Sequence, residues 1–480
     1  MGELKVVGRS FPLKDAAEKT VGAPGYTVDL SLPGMVYGKI LRSPHAHARI
    51  LRVDASGALR LPGVRAVLTP DDVPRKPITT AGHPPPDPTP HDQFIIDRKV
   101  RYVGDKVAAV AADSPALAAE ALDLIRVEYE VLPAVFDPDE SLSEGAPDIH
   151  ASCRDGKNTA GYVRFEEGDV ERGFAEADFV FEDEYRVPHQ AHSMLEPVVC
   201  VCDYHPGGQL TVWSSTQIPF TLRRLIYEAL EIPVRKIRVL KPAVGGGFGC
   251  KQEMLEEALC ALLSRRAGRP VKMEYTREET FFASRTRNAY TLRLKTGLKK
   301  DGTLTARTLA AVANTGAYSS HGPTVTAVLG SVWTSLYRCP NFRFEGRTVY
   351  TNLPIAGAFR GYGIPQGTFG LELHMDAIAR RMGVDPLDLR RKSHVRSGDV
   401  NPATKWVIDS CGLGRCIDEG AKAIGWEEKR KGGGKRNGKL RGVGAAIFSA
   451  VSGAAPVAFE AASAVVRVLE DGGLQLQMGI

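Results

Sequence analysis

Apolar positions switch repeatedly between two-residue alternation and helical spacing, so short strands and helices are predicted to interleave along most of the chain. Met35-Val-Tyr-Gly-Lys-Ile-Leu-Arg42, Val64-Arg-Ala-Val-Leu68 and Lys106-Val-Ala-Ala-Val-Ala-Ala112 read as strands. Ser114-Pro115 supplies an N-cap and a first-turn proline for a helix to about Arg126, with strand-like Val127-Glu-Tyr-Glu130 behind it. The stretch Gly82–Pro90 is too rich in proline for a helix or sheet interior and is predicted as an extended loop. Acidic, proline-containing sequence from Asp137 to Asp148 marks the end of a first unit, taken as residues 1–145.

A second unit, 146–428, follows. Asp169 can cap a short helix, and Phe179–Val187 alternates as a half-buried strand. Strand Val234–Leu240 leads through a Gly-rich loop into Gln252–Arg266, whose Leu255, Leu259, Leu262 and Leu263 have helical spacing and which Gly268-Arg-Pro270 stops. Further helices are predicted at Thr368–Arg381, Pro386–Lys392 and Cys416–Ile424. Residues 429–441 form a basic linker. A third unit, 442–480, holds one hairpin, Ala464–Glu470 and Leu474–Ile480 around Asp471-Gly-Gly473. About forty residues ending in a bare strand bury too little surface to stand alone. The expectation is a polypeptide whose remaining part lies on a further segment or a separate subunit. The fold class is α+β.

Composition adds little except by exclusion. The chain has 480 residues, so two to four domains are expected. Of the net charge of +6, a balance of +5 lies in Glu427–Arg441, seven basic against two acidic residues. That Gly- and Lys-rich run reads as a solvated flexible linker; without interleaved aromatics it does not read as a nucleic-acid arm. Eight cysteines, at 153, 200, 202, 250, 260, 339, 411 and 416, contain no Cys-x-x-Cys pair. Neither a zinc or iron–sulfur centre nor a disulfide framework is expected. With no signal-peptide core and no spanning apolar run, the expectation is a soluble cytoplasmic protein without membrane or nucleic-acid partners.

Two loops give up side-chain volume to let backbone come close to something: Gly245-Gly246-Gly247-Phe248-Gly249-Cys250-Lys251-Gln252 and Gly357-Ala358-Phe359-Arg360-Gly361-Tyr362-Gly363-Ile364-Pro365-Gln366. Together they suggest an anionic cofactor held by main-chain N–H groups. A dinucleotide fingerprint fails because its sixth position is Cys250, and a phosphate-binding Walker loop fails because Gln252 follows Lys251. What remains is a strand–loop–helix turn whose helix N-terminus can face an anion, against the plainer reading of a tight turn. Taken singly, Arg360 could be a structural arginine, Tyr362 a core residue and Gln217 a surface amide. One His and one Glu in His192-Ser-Met-Leu-Glu196-Pro197 are weak grounds for a metal site.

Their order is more telling. His-x-x-x-Glu-Pro, then Ser214-Ser-Thr-Gln217, then Gly246-Gly-Phe-Gly-x-Lys251, then Ala358-Phe-Arg-Gly-x-Gly-x-Pro-Gln366 resembles the molybdenum-binding subunit of the xanthine dehydrogenase/aldehyde oxidase family. Val7-Gly-Arg-Ser10, Gly25–Leu30 and Leu41–Ala48 resemble that family's N-terminal hammerhead domain. The likeness implies a hammerhead α/β domain, a first molybdopterin-binding domain and the start of a second. It implies a molybdopterin-held metal, in bacteria usually the cytosine dinucleotide form. Gln217, Phe248 and Arg360 would lie at the metal, with Gly246, Gly247, Gly249, Phe359 and Gly361 cradling the cofactor.

The resemblance also implies hydroxylation of an electron-poor carbon with oxygen from water. Electrons would pass to [2Fe–2S] centres and FAD on partner chains, an iron–sulfur small subunit and a FAD-binding medium subunit. The glutamate general base would lie beyond Ile480, so no catalytic residue is assigned here, and the isolated chain is expected to be inactive. Substrate would meet Gln252, Val328 and Tyr362. Purine-oxidising members have Glu and Arg where this chain has Gln252 and Val328, which argues against xanthine and for an aldehyde or another N-heteroaromatic. Ala358-Phe-Arg-Gly361 also departs from the Ala-Tyr-Arg-Cys of carbon monoxide dehydrogenases. The alternative is a non-catalytic cofactor-holding or assembly chain.

Overall fold

The computed structural model describes residues 4–82, 89–151, 157–431, 434–436, 438–450 and 463–479. Most of the expected proline-rich loop, together with Cys153 and Ile480, lies outside them. A seven-stranded mixed sheet runs in the order Ile237–Leu240, Leu210–Ser214, Val199–Tyr204, Val271–Glu274, Val36–Arg42, Lys106–Ala112, Val64–Leu68. Strand Val36–Arg42 pairs in parallel with Val271–Glu274, so a single sheet joins chain from before residue 145 to chain after it. Its core mixes Val36, Ile40 and Ala109 with Leu222, Leu259 and Met273. The strands 36–42, 64–68 and 106–112 lie where alternation and β-branched content predict them.

A second sheet of five strands runs Thr159–Glu167, Phe342–Tyr350, Leu304–Gly316, Ala289–Leu298, Phe179–Val187. Helices Gly322–Leu336 and Ile364–Met382 cover its apolar face, burying Leu329, Trp333, Phe344, Leu371 and Met375. The contact is close because Gly330 leaves room for the Phe344 ring; an added methyl there would overlap it. Residues as late as Ile447 still belong to this core, with the Ile447 N–H donating to Glu372 Oε2 at 2.8 Å. A small three-stranded sheet, Ala356–Gly357, Thr286–Arg287 and Gln190–Ala191, ties three distant segments together.

Several predicted boundaries move. The helix from Ser114 ends at Asp123, three residues short of Arg126, and Val234–Lys236 forms a 3₁₀ turn before the strand Ile237–Leu240. Helix Gln252–Arg266 begins only at Glu257 and runs to Ala267. The cause is local: the Glu257 carboxylate accepts from the N–H groups of Leu255 and Glu256 at 2.8 and 3.1 Å, which holds the chain just ahead of the first turn out of the helix. The helix thus starts beyond Gln252, and its first residue is a buried glutamate. The basic run is not plain coil, since it carries a helix to Lys431 and a short antiparallel pair, Gly434–Arg436 with Lys439–Arg441. The hairpin Ser463–Val468 with Leu474–Gly479 forms as predicted.

Candidate cofactor site

Gln217 is positioned by the chain between strand Leu210–Ser214 and helix Pro219–Leu230, whose proline-started first turn fixes the direction of exit. Its backbone N–H donates to Lys251 O at 2.8 Å, and its side-chain Oε1 accepts from the Gly249 N–H at 3.0 Å. With the oxygen end engaged, the NH₂ end of the amide is the one available to donate to a ligand. A methyl group on Gly247 would come within 2.9 Å of Gln217 Cδ, so glycine is what allows the amide to lie over the loop.

The first loop is strained where it turns. Gly246 and Gly249 have φ +96° and +107°, and Phe248 itself sits at φ +52°, nearly half exposed. Arg360 N–H donates to Phe248 O at 2.8 Å, joining the two loops through their main chains. Gly249 packs against the second loop so closely that a Cβ would be 2.7 Å from the Ala358 carbonyl carbon. Gln217, the Gly246–Gly249 backbone and the Phe359–Gly361 segment thus meet at one place. Arg360 and Gly361 are exposed there and Phe359 is half-buried.

Glu196 anchors the first loop from beneath. Its Oε2 accepts from Gly245 N–H and from Lys251 Nζ, both at 2.7 Å, and Lys251 is only 2% exposed. Burial pulls the Lys251 ammonium below its ordinary range, an effect Glu196 only partly offsets. His192 serves the second loop: Nε2 lies 2.8 Å from Ala358 O, Nδ1 lies 3.1 Å from Arg285 O, and the ring stacks on Phe359 at 4.1 Å. Desolvation pulls this imidazole's pKa below the usual value, and the two carbonyls beside its ring nitrogens only partly offset it. The motif His-x-x-x-Glu-Pro therefore places its two polar residues under the two loops.

Of the three substrate candidates, Gln252 and Tyr362 are both reached by His321. Tyr362, at φ +49°, shares a 2.7 Å hydrogen bond between its hydroxyl and His321 Nδ1, while His321 Nε2 is 3.4 Å from Gln252 O. His321 thus bridges Tyr362 and Gln252. It also precedes helix Gly322–Leu336, on which half-buried Val328 lies seven residues on, two turns along the same side. Next to Gln252, fully buried Glu253 accepts from Arg285 Nε at 2.7 Å and from Thr80 at 2.6 Å. Burial alone would raise that carboxyl; the Arg285 guanidinium, His321 and the Ser320 and Thr80 hydroxyls together outweigh it and hold the pKa low.

His321, Glu253 and Arg287 have no distinctive spacing, and only the fold sets them beside their partners: His321 against Tyr362, Glu253 against Arg285 and Arg287 against Phe359. Sequence reading also missed that Cys200, Cys202 and Cys260 bring their sulfurs within 4.8 Å of one another. Strand alternation puts 200 and 202 on one side, and a helix adds 260. Burial pushes the Cys202 and Cys260 thiols well up, and they lie 3.5 and 3.2 Å from the carbonyls of Glu257 and Val271. Such protonated, enclosed thiols pack as small core groups.

Residues 152–394 match the molybdopterin cofactor-binding domain, and residues 21–133 match the a/b hammerhead domain of aldehyde oxidase and xanthine dehydrogenase. The chain belongs to the xanthine dehydrogenase/aldehyde oxidase family. It is 39% identical over 97% of its length to a putative xanthine dehydrogenase molybdenum-binding subunit of Escherichia coli, of which it spans 62%. It is 36% identical over 89% of its length to the nicotinate dehydrogenase large molybdopterin subunit of Eubacterium barkeri, spanning 99% of that chain. The solved aldehyde oxidoreductase of Desulfovibrio gigas superposes with TM-score 0.82 at 32% identity, over 88% of this chain and 47% of the other. Among the described residues no helix is long and apolar enough to cross a membrane.

Proposed function

We propose that this chain forms one wall of the active site of a molybdenum hydroxylase that oxidises an aldehyde or an N-heteroaromatic compound. The observation carrying this reading is the meeting of Gln217, the Gly246–Gly249 backbone and the Phe359–Gly361 loop, with Gly249 N–H on Gln217 Oε1 and Arg360 N–H on Phe248 O. The residues suit a molybdopterin: glycines at 246, 247 and 249 keep side chains out of the loop, and among the described residues Arg360 is in no carboxylate ion pair. The bound group would supply two-electron oxidation of carbon with oxygen from water. This chain's part is to bind and orient it. Gln217 would donate from its amide NH₂, and Phe248 and Arg360 would flank the metal through their backbones.

The substrate side would be lined by Gln252, Val328 and Tyr362. The His321 hydrogen bond fixes the Tyr362 ring, which suits stacking on a flat substrate. A neutral amide at 252 and an apolar group at 328 leave no charged pair for a purine, which favours an aldehyde or a simpler heterocycle over xanthine. Relatives named for xanthine, nicotinate and aldehyde oxidation span that range. The cofactor form would be the cytosine dinucleotide, with [2Fe–2S] centres and FAD on an iron–sulfur small subunit and a FAD-binding medium subunit. A second molybdopterin-binding segment would complete the opposite wall and carry the general base.

The test is a screen of aldehydes and N-heteroaromatics with the complete complex in ¹⁸O-water, alongside Gln252→Ala. The unsubstituted complex should place ¹⁸O in the product. The variant should change relative kcat/KM among substrates on the order of tenfold, the scale of one lost hydrogen bond, with molybdenum content unchanged. Equal loss of metal and turnover would make Gln252 structural. A metal-loaded complex that oxidises nothing in the screen would favour a cofactor-holding chain.

A further inference from the structure

Arg287 lies on the two-residue strand Thr286–Arg287, between Gln190–Ala191 and Ala356–Gly357. Two residues earlier, Arg285 is neutralised by Glu253 at 2.7 Å. Arg287 is 7% exposed, yet among the described residues no carboxylate lies within ion-pair distance of it. Its donors go to neutral acceptors: Nε to Gln190 Oε1 at 3.3 Å, one terminal nitrogen to Gln366 Oε1 at 3.1 Å, and the other to Arg360 O at 3.0 Å. Its guanidinium carbon is 3.8 Å from the centre of the Phe359 ring.

His192 lies 4.1 Å from the same ring centre, so the two groups must occupy opposite faces. Phe359 is thus clamped between an imidazole and a guanidinium, which also hold the carbonyls on either side of it, Ala358 O and Arg360 O. Phe359 O accepts from Tyr362 N–H at 2.7 Å. Three successive carbonyls are therefore bound within the protein, which withdraws their negative ends from the ligand side. Burial alone lowers the pKa of Arg287, to about 10, so at neutral pH it stays charged. A buried guanidinium held only by neutral acceptors carries a desolvation cost that an anion nearby would offset.

We propose that Arg287 is a positioning residue that clamps the Phe359–Gly361 loop and whose uncompensated positive charge, directly behind that loop, raises the electron affinity of the anionic molybdenum centre. The inference rests on the cofactor reading above. It goes further in giving a residue outside every motif a role in setting the redox balance. Coulomb interaction across a low-dielectric, ~10 Å scale is large enough to shift a redox equilibrium on the order of tenfold.

Two substitutions separate charge from fit. Arg287→Lys keeps the charge and loses the planar fork; Arg287→Gln keeps a donor and loses the charge. Both are made in the complete complex, with molybdenum content and a spectroscopic redox titration as readouts. Arg287→Gln should disfavour reduction by roughly tenfold, equal to about 30 mV for a two-electron couple, while Arg287→Lys stays near the unsubstituted value. Loss of metal in the Gln variant alone, with both proteins folded by thermal melting, would also support the charge. Equal potentials in all three proteins, or metal loss in both variants, would overturn it. An unsubstituted complex without molybdenum would instead remove the cofactor reading itself, and the proposal with it.

Discussion

Gly249→Ala should empty the site of molybdenum while leaving most of the fold in place. Gly249 has φ +107°, outside the small left-handed region that other residues tolerate, so any side chain strains the turn. Its Cβ would also sit 2.7 Å from the Ala358 carbonyl carbon and 3.0 Å from Phe359 Cα, both backbone atoms that cannot rotate away. The loops must then separate, which breaks Arg360 N–H to Phe248 O and moves the Gln217 amide off Gly249. Affinity for the cofactor should fall by well over tenfold, each tenfold step being about 1.4 kcal/mol of binding, and metal per chain should fall with it. Gly268→Ala is the control: its φ is +64° with nothing within 4 Å, so stability should drop slightly and metal content should not change.

Glu196→Ala should give the larger loss of stability. It removes the carboxylate partner of Lys251, which is only 2% exposed, and the acceptor of Gly245 N–H. An ammonium left buried without its counter-charge typically destabilises by about 3–5 kcal/mol. The lower end is expected, for two reasons: Lys251 Nζ keeps Glu196 O at 3.1 Å, and among the described residues Glu196 Oε1 has no hydrogen-bond partner to lose. Glu196→Gln retains the shape and an acceptor, and should lie between the two. Urea unfolding checks the order. A Glu196→Ala protein as stable as the unsubstituted one would mean that Lys251 finds water or another acceptor.

Much of the architecture can be read along the chain because alternation and helical spacing are local properties. The strands 36–42, 64–68 and 106–112 follow from their apolar runs, and Ser114 caps its helix as its side chain and the next proline dictate. The start of the helix after the Gly-rich loop is not legible in the same way. Gln252-Glu253-Met254 has helical composition, yet Thr80 O accepts from the Met254 N–H, and Thr80 and Arg285 donate to the Glu253 carboxylate from elsewhere in the chain.

The two glycine loops announce themselves because glycine is costly wherever it is not needed. Arg287 and His321 do not, since an arginine in a two-residue strand and a histidine before a helix have no distinctive spacing. Their significance lies in what the fold brings beside them: Phe359 in one case, Tyr362 and Gln252 in the other. Glu196 is intermediate. Its motif position marks it, but only the geometry shows that it anchors Gly245 and Lys251 rather than the chemistry.

The most direct measurement is the molybdenum and pterin content of the complete complex, purified from a host that supplies the cofactor. About one molybdenum and one pterin per copy of this chain, both lost together in Gly249→Ala and retained in Gly268→Ala, is the expected result. A folded complex that carries no molybdenum under those conditions, or one whose metal survives Gly249→Ala unchanged, would contradict a cofactor held between the Gly246–Gly249 and Phe359–Gly361 loops.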